Sequence, residues 1–159
     1  MSDTLSPSAR RVQQALAERG LELRVVEFPQ STRTAQQAAE AIGCQVAQII
    51  KSLVFRARDS GRPVLVLASG ANRVDERRIA ALLGESLDKA DAAFVRQHTG
   101  FAIGGVAPLG HVSAMVTFID EDLLAHQELW AAAGTPNAVF PLRVADLTRI
   151  VDGRVVAVK

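Results

Sequence analysis

The chain has 159 residues, 48% of them hydrophobic and 22% charged, which is ordinary for a globular protein and too apolar for a disordered one. Eighteen Lys+Arg against seventeen Asp+Glu leave a net charge of +1, and the isoelectric point of about 8.0 falls short of that of a dedicated nucleic-acid-binding domain. One cysteine excludes an internal disulfide and any multi-cysteine zinc site. No apolar run approaches the ~20 residues of a membrane helix, and Met1 to Leu5 lack the basic-then-apolar order of a secretory leader. A cytoplasmic protein with no membrane contact is the expectation. There is no tyrosine, so any ring that stacks on a base must come from six Phe and Trp130.

In chain order, Ser6-Pro7 reads as an N-cap and first-turn proline. Ala9, Val12 and Leu16 recur at helical spacing after it, and Gly20 ends the helix. Leu23 to Phe28 alternates like a strand that Pro29 closes. Ser31, Thr32 and Thr34 offer caps for a helix over Ala35 to Ile42, which Gly43 stops, and Gln45 to Ile49 reads as a helical turn. Ile50 to Phe55 and Pro63 to Ala68 form a hairpin about Asp59-Ser60-Gly61. Helices follow over Asn72 to Leu83 and Asp91 to His98. Strands follow over Ala114 to Ile119, Leu129 to Ala133, Val139 to Arg143 and Val151 to Val158, with a helical turn at Val144 to Arg149. With no linker, repeat or low-complexity tract, this predicts one α+β (mixed α/β) domain over residues 1–159, with a curved, largely antiparallel sheet.

Several common sites are missing. There is no G-x-S-x-G elbow and no P-loop, and Gly104-Gly105 does not begin a dinucleotide fingerprint. His98, His111 and His126 form no H-x-x-x-H pair, so no metal is expected. Cys44 reads as a small packed side chain with no activator beside it. Asp120-Glu121-Asp122 reads as a helix start favoured by the dipole, with a role in a site as the alternative.

Lys51 stands in the most apolar strand of the first half, Ile49-Ile50-Lys51-Ser52-Leu53-Val54-Phe55. Either its stem packs while the ammonium reaches water, or it is a pocket lysine that binds an anion or polarises a substrate. Gly104-Gly105-Val106-Ala107-Pro108-Leu109-Gly110 is either a tight buried connection or a loop that offers its backbone to a ligand. Gly134-Thr135-Pro136-Asn137 has turn composition. Arg73, Arg77 and Arg78 form a basic cluster that is either a solvated face or a phosphate contact.

These features, in this order, resemble the YbaK/ProX family of aminoacyl-tRNA deacylases, which includes the editing domain inserted in bacterial prolyl-tRNA synthetases. The matching stretches are Thr34 to Ala39, Ile49 to Phe55, Gly100 to Gly110, Val116 to Asp120 and Gly134 to Pro136, and the resemblance runs from about Leu23 to the C-terminus. It implies a barrel-like, curved, mostly antiparallel sheet with helices around it. It also implies hydrolysis of the ester joining a wrong amino acid to the 3′ end of tRNA, without a cofactor.

By the same resemblance, Lys51 matches the family's essential lysine, and Gly104, Gly105, Val106 and Pro108 match the loop that holds the terminal adenosine and the aminoacyl group. Backbone N–H groups near Gly105-Val106 are the expected oxyanion donors. Ser52 and Phe28 are expected at the substrate, and Gly134, Thr135 and Pro136 as the far wall. Some members carry Tyr where Phe28 aligns, and some cysteine-specific members carry an acid where this chain has Ala138-Val139. The expected substrates are therefore small, with seryl, threonyl and alanyl esters favoured and cysteinyl admitted. The expected partners are the tRNA acceptor end and an aminoacyl-tRNA synthetase. The alternative is a module that binds a tRNA 3′ end or a nucleotide without turnover.

Overall fold

The computed structural model describes residues 5–159; the expected absence of a leader falls largely on the four residues before these and lies outside the description. Helix α1 (Pro7–Glu18) starts at Ser6-Pro7 and buries Ala9, Val12, Ala15 and Leu16 as one stripe. Helix α2 (Ala35–Ile42) has the limits expected of it. The Thr34 hydroxyl accepts from the Gln37 N–H, the Gln37 side chain accepts from the Thr34 N–H, and Gly43 closes the helix at φ 84°.

The remaining elements are strands β1 (Val26–Glu27), β2 (Ile49–Ala57) and β3 (Pro63–Ser69), helix α3 (Glu76–Leu83), strand β4 (Leu87–Lys89) and helix α4 (Ala92–Thr99). After them come β5 (Val116–Asp120), β6 (Glu128–Ala132), β7 (Ala138–Arg143), helix α5 (Val144–Ile150) and β8 (Arg154–Val156). Short 3-10 turns lie at Val46–Gln48 and Glu121–Ala125.

Some expected limits shift for visible reasons. The strand expected over Leu23 to Phe28 shrinks to two residues, because only Val26 and Glu27 find partners, on β7. The helix expected from Asn72 begins at Glu76, because the Asp75 carboxylate accepts from the N–H groups of Arg77 and Arg78 and sets the N-cap there. Strand β4 was not expected; its three residues carry no pattern of their own and pair with β2.

The strands form one mixed sheet in the order β1-β7-β6-β2-β3-β5-β8, with β4 also on β2. Antiparallel pairs (β1/β7, β2/β3, β2/β4, β6/β7) outnumber parallel ones (β2/β6, β3/β5, β5/β8). Strand β3 is central, and Val64 to Ala68 are all buried. Burying each of its Val and Leu side chains contributes about 1.5–3 kcal/mol. One core layer joins α1, α5, β6 and β7 with Phe101 and Leu109; the other joins β2, β3 and α3 around Phe55, Val66 and Ile79. Among the described residues, no helix is long and apolar enough to cross a membrane.

Candidate active site

The site begins with a gap in the sheet. Strand β6 pairs with β2 only at Ile49 and Ile50, and β4 pairs with it only from Phe55 onward. Residues 51–54 are therefore paired on the β3 side alone. The Ile49 carbonyl accepts from Gly70 N–H and the Ala57 N–H donates to Arg62 O, both toward the β3 hairpin. Backbone groups alternate sides along a strand, so Ser52, in the middle of the gap, turns its N–H and C=O away from β3 and into the opening.

A cavity of about 460 Å³ occupies that opening. Its walls are mostly apolar, with Ile103, Val106, Trp130 and Val139 around the β2 edge. Two cations, Lys51 and Arg33, line it, and no carboxylate does.

Lys51 is half-buried, and its ammonium donates to the Asn72 carbonyl. Burial pushes its pKa below the ordinary 10.5, against an opposing pull from Asp120. The Asn72 side-chain amide donates to Asp120 Oδ2 and to Asp122 Oδ2, each at 2.8 Å. Asp120 is buried and also accepts from the N–H groups of Ser69 and Asp122. Asp120 caps a 3-10 turn, and it also holds Asn72, whose carbonyl accepts from Lys51. Lys159 closes the outer end of the network at 3.2 Å from Asp122.

The glycine-rich loop forms the opposite lip. Gly104 lies at φ 94°, and a Cβ there would meet the Arg33 side chain at 2.9 Å, so the guanidinium stem lies flat across the loop at the mouth. Arg11 of α1 anchors the loop's two ends by donating to the carbonyls of Thr99, Gly100 and Gly110, while its guanidinium covers the Phe101 ring at 4.6 Å. His111 Nε2 contacts the Ala107 carbonyl at 2.7 Å, and burial holds its pKa below the ordinary 6.5.

Of the expected residues, Lys51, Ser52, Gly104 and Val106 meet at the cavity. Gly105 does not. Its N–H donates to Ala102 O at 3.1 Å, and a Cβ would strike the Thr135 backbone at 2.8 Å. That glycine is needed for loop-to-turn packing, and its own N–H, one of the donors expected near Gly105-Val106, is already engaged. Pro108 is buried away from the cavity, and Phe28 contributes a backbone bond to Asn137 O without reaching the wall.

Gly134, Thr135 and Pro136 support the wall from behind. Gly134 packs against Ser8 O of α1, and Pro136 O accepts from the N–H and hydroxyl of Thr32, which does line the cavity. Arg73, Arg77 and Arg78 are exposed and do not line this cavity. Cys44 packs against a small third cluster formed by Ala38 and Ala39 of α2 with Ile49, and burial raises its thiol pKa. Among the described residues no group of His, Cys, Asp and Glu is placed to hold a metal. Sequence reasoning missed Arg33 and Asn72 and saw Trp130 only as a ring that could stack on a base, because each reaches the site through tertiary packing and belongs to no motif.

A family model for the aminoacyl-tRNA editing domain matches residues 29–150. A crystal structure assigned provisionally as a trans-editing enzyme for prolyl-tRNA synthetase superposes with a TM-score of 0.93. It is 49% identical, over 98% of this chain and 99% of that one. The uncharacterized protein YwhH of Bacillus subtilis (strain 168) is 32% identical over 124 residues, 78% of each chain. Proline–tRNA ligase of Limosilactobacillus fermentum is 34% identical over 94 residues, 57% of this chain but 16% of the ligase.

Proposed function

This chain belongs to the aminoacyl-tRNA editing-domain family, and from that membership we propose that it is a free-standing hydrolase removing small amino acids from mischarged tRNA. The observation that carries the reading is the cavity itself: two cations, no carboxylate and an unpaired strand edge within otherwise apolar walls. That is a place for an anionic, ester-bearing 3′ end rather than for a cationic or metal-bound substrate.

The reaction adds water to the ester carbonyl carbon. The bond from that carbon to the ribose oxygen breaks, the ribose oxygen takes a proton, and a free amino acid and a tRNA with a free hydroxyl leave. An aminoacyl ester is already activated, so placing the water and stabilising the oxyanion are the main tasks. Lys51 positions the terminal phosphate or the ester electrostatically, held at its own angle by Asn72. It forms no Schiff base, because an ester is neither ketone nor aldehyde. Arg33 secures the phosphate at the mouth. With the Gly105 N–H engaged, the Val106 N–H and the Ser52 N–H in the gap are the oxyanion donors of this reading.

Small side chains are favoured: serine, threonine or alanine ahead of cysteine. Val139 on the cavity wall is apolar where some cysteine-specific relatives carry an acid, while Phe28 stands off the wall and bears less on the choice. Apolar walls separate neighbours differing by one methylene by only about 1–3 kcal/mol, so overlap among small residues is expected. The partner is the tRNA acceptor end, in the cytoplasm, with a synthetase as the proposed supplier of mischarged substrate.

The test is a rate comparison on seryl-, threonyl-, alanyl-, cysteinyl- and prolyl-tRNA under identical conditions. Hydrolysis of the first three ahead of the last two is expected. Exclusive action on the cysteinyl ester overturns the preference, and no turnover on any ester replaces the hydrolase with a 3′-end binding module.

A further inference from the structure

Beside the active cavity lies a second cleft of about 280 Å³, and the two share Ala90 as a common wall. The cleft is framed by Arg56 on β2, Lys89 on β4, and Phe94 and Gln97 on α4. Arg56 and Lys89 are both exposed, and neither takes part in the ion pairs found among the described residues. The Arg56 guanidinium stands 6.0 Å from the Phe94 ring centre, and the His98 ring lies 4.4 Å from it, centre to centre. Asp91, the carboxylate in the cleft, accepts from Phe94 N–H as the helix cap, which spends part of its charge on the backbone.

Two unpaired cations beside a half-buried aromatic ring are the elements by which proteins hold single-stranded nucleic acid: charge along the phosphates and a ring for the base. A shared wall ties this cleft to the site. Ala90, next to Lys89 in the chain, lines both hollows, so a strand leaving the active cavity at Ala90 enters the cleft that Lys89 and Arg56 line. The arginines of α3 line neither hollow.

We infer that this cleft binds the nucleotide preceding the terminal adenosine of the acceptor strand, a cytidine, with Arg56 and Lys89 on its phosphates and Phe94 against its base. The inference rests on the reading of the larger cavity as the seat of that adenosine. The cleft makes the protein a reader of the acceptor end beyond its last nucleotide.

The test needs no turnover. Binding of the trinucleotide CpCpA and of adenosine 5′-monophosphate is measured for the wild type, for Arg56→Gln/Lys89→Gln, and for Phe94→Leu. The wild type is expected to bind the trinucleotide at least tenfold more tightly than the mononucleotide. The double variant should lose most of that ratio, and its log–log salt slope should fall by about 0.7 per cation removed. Phe94→Leu should lose part of the ratio with little change in slope. A ratio near one in the wild type overturns the inference, as does a ratio that survives both variants or an equal loss on both probes. A wild type that shows the ratio yet hydrolyses no aminoacyl ester leaves the cleft standing and removes the hydrolase.

Discussion

Lys51 donates its ammonium to the backbone carbonyl of Asn72, the residue whose side-chain amide bridges Asp120 and Asp122. The lysine is therefore aimed by a loop that is itself fastened to two carboxylates. A strand-borne lysine with a flexible four-carbon stem becomes a fixed charge at the cavity wall.

Replacing Lys51 by alanine should leave the fold intact and slow deacylation tenfold or more, equivalent to about 1.4 kcal/mol of lost transition-state stabilisation. Circular dichroism and single-turnover rates on the preferred ester decide it. Near-normal turnover by a folded Lys51→Ala protein removes the lysine from the mechanism.

The acid–base behaviour follows from the burial of Lys51, which lowers its pKa from 10.5. On the role proposed for Lys51 the ammonium is the working form, so activity above the spontaneous background should fall on the alkaline side, with a midpoint below that of an ordinary lysine. Lys51→Arg should abolish that limb. For stability, the unfolded chain binds the proton more tightly than the folded one. This group therefore weakens the fold below its folded pKa, and the penalty is relieved as pH rises from there toward 10.5. A limb unchanged in Lys51→Arg assigns the titration to another group.

Asn72→Ala should damage both stability and rate. It leaves Asp120 Oδ2 short of a donor in a buried position, at a cost of about 1–3 kcal/mol, and it loosens the loop whose carbonyl holds Lys51. A drop in Tm together with a lower kcat and a small change in KM is expected. If kcat is unaffected in the folded variant, the network serves stability alone.

Gly105→Ala should lower Tm and activity together. The new Cβ would lie 2.8 Å from the Thr135 Cα, inside backbone that has no free end to move, and overpacking of this kind costs about 1–3 kcal/mol. Thermal unfolding and single-turnover rates are the measurements. Lost activity at full stability returns this glycine to the substrate face.

Cys44→Ser and Cys44→Ala should retain most of the activity, because burial raises the thiol pKa and its side chain packs under α2. A thiol reagent that inactivates the protein, with substrate protecting and Cys44→Ala immune, contradicts this.

Local chemistry made much of this molecule legible. Thr34, Gln37 and Gly43 delimit α2 by themselves, because a reciprocal cap and a left-handed glycine act within ten residues. Lys51 is visible because charge in an apolar strand needs a reason. Whatever depends on pairing at a distance is hidden. Strand β4 has three residues and exists because β2 accepts it, and Arg33 reaches the mouth because Gly104 lets it lie flat. Gly105 shows the limit most clearly. Its composition marks a close backbone approach, but nothing local says whether the approaching group is a substrate or the Thr135 backbone.

The opening in the sheet is bounded by two strands that meet β2 from opposite senses, β6 running with it up to Ile50 and β4 against it from Phe55. Its length is thus an integer fixed by registry, and a one-residue slip of either neighbour would turn that strand's buried face to solvent. The aperture is in effect a rigid gauge. On the proposed function, a change of amino-acid preference would leave the frame alone and trade side chains on its rim, at Ile103, Trp130 and Val139, so that single substitutions on a fixed scaffold would suffice.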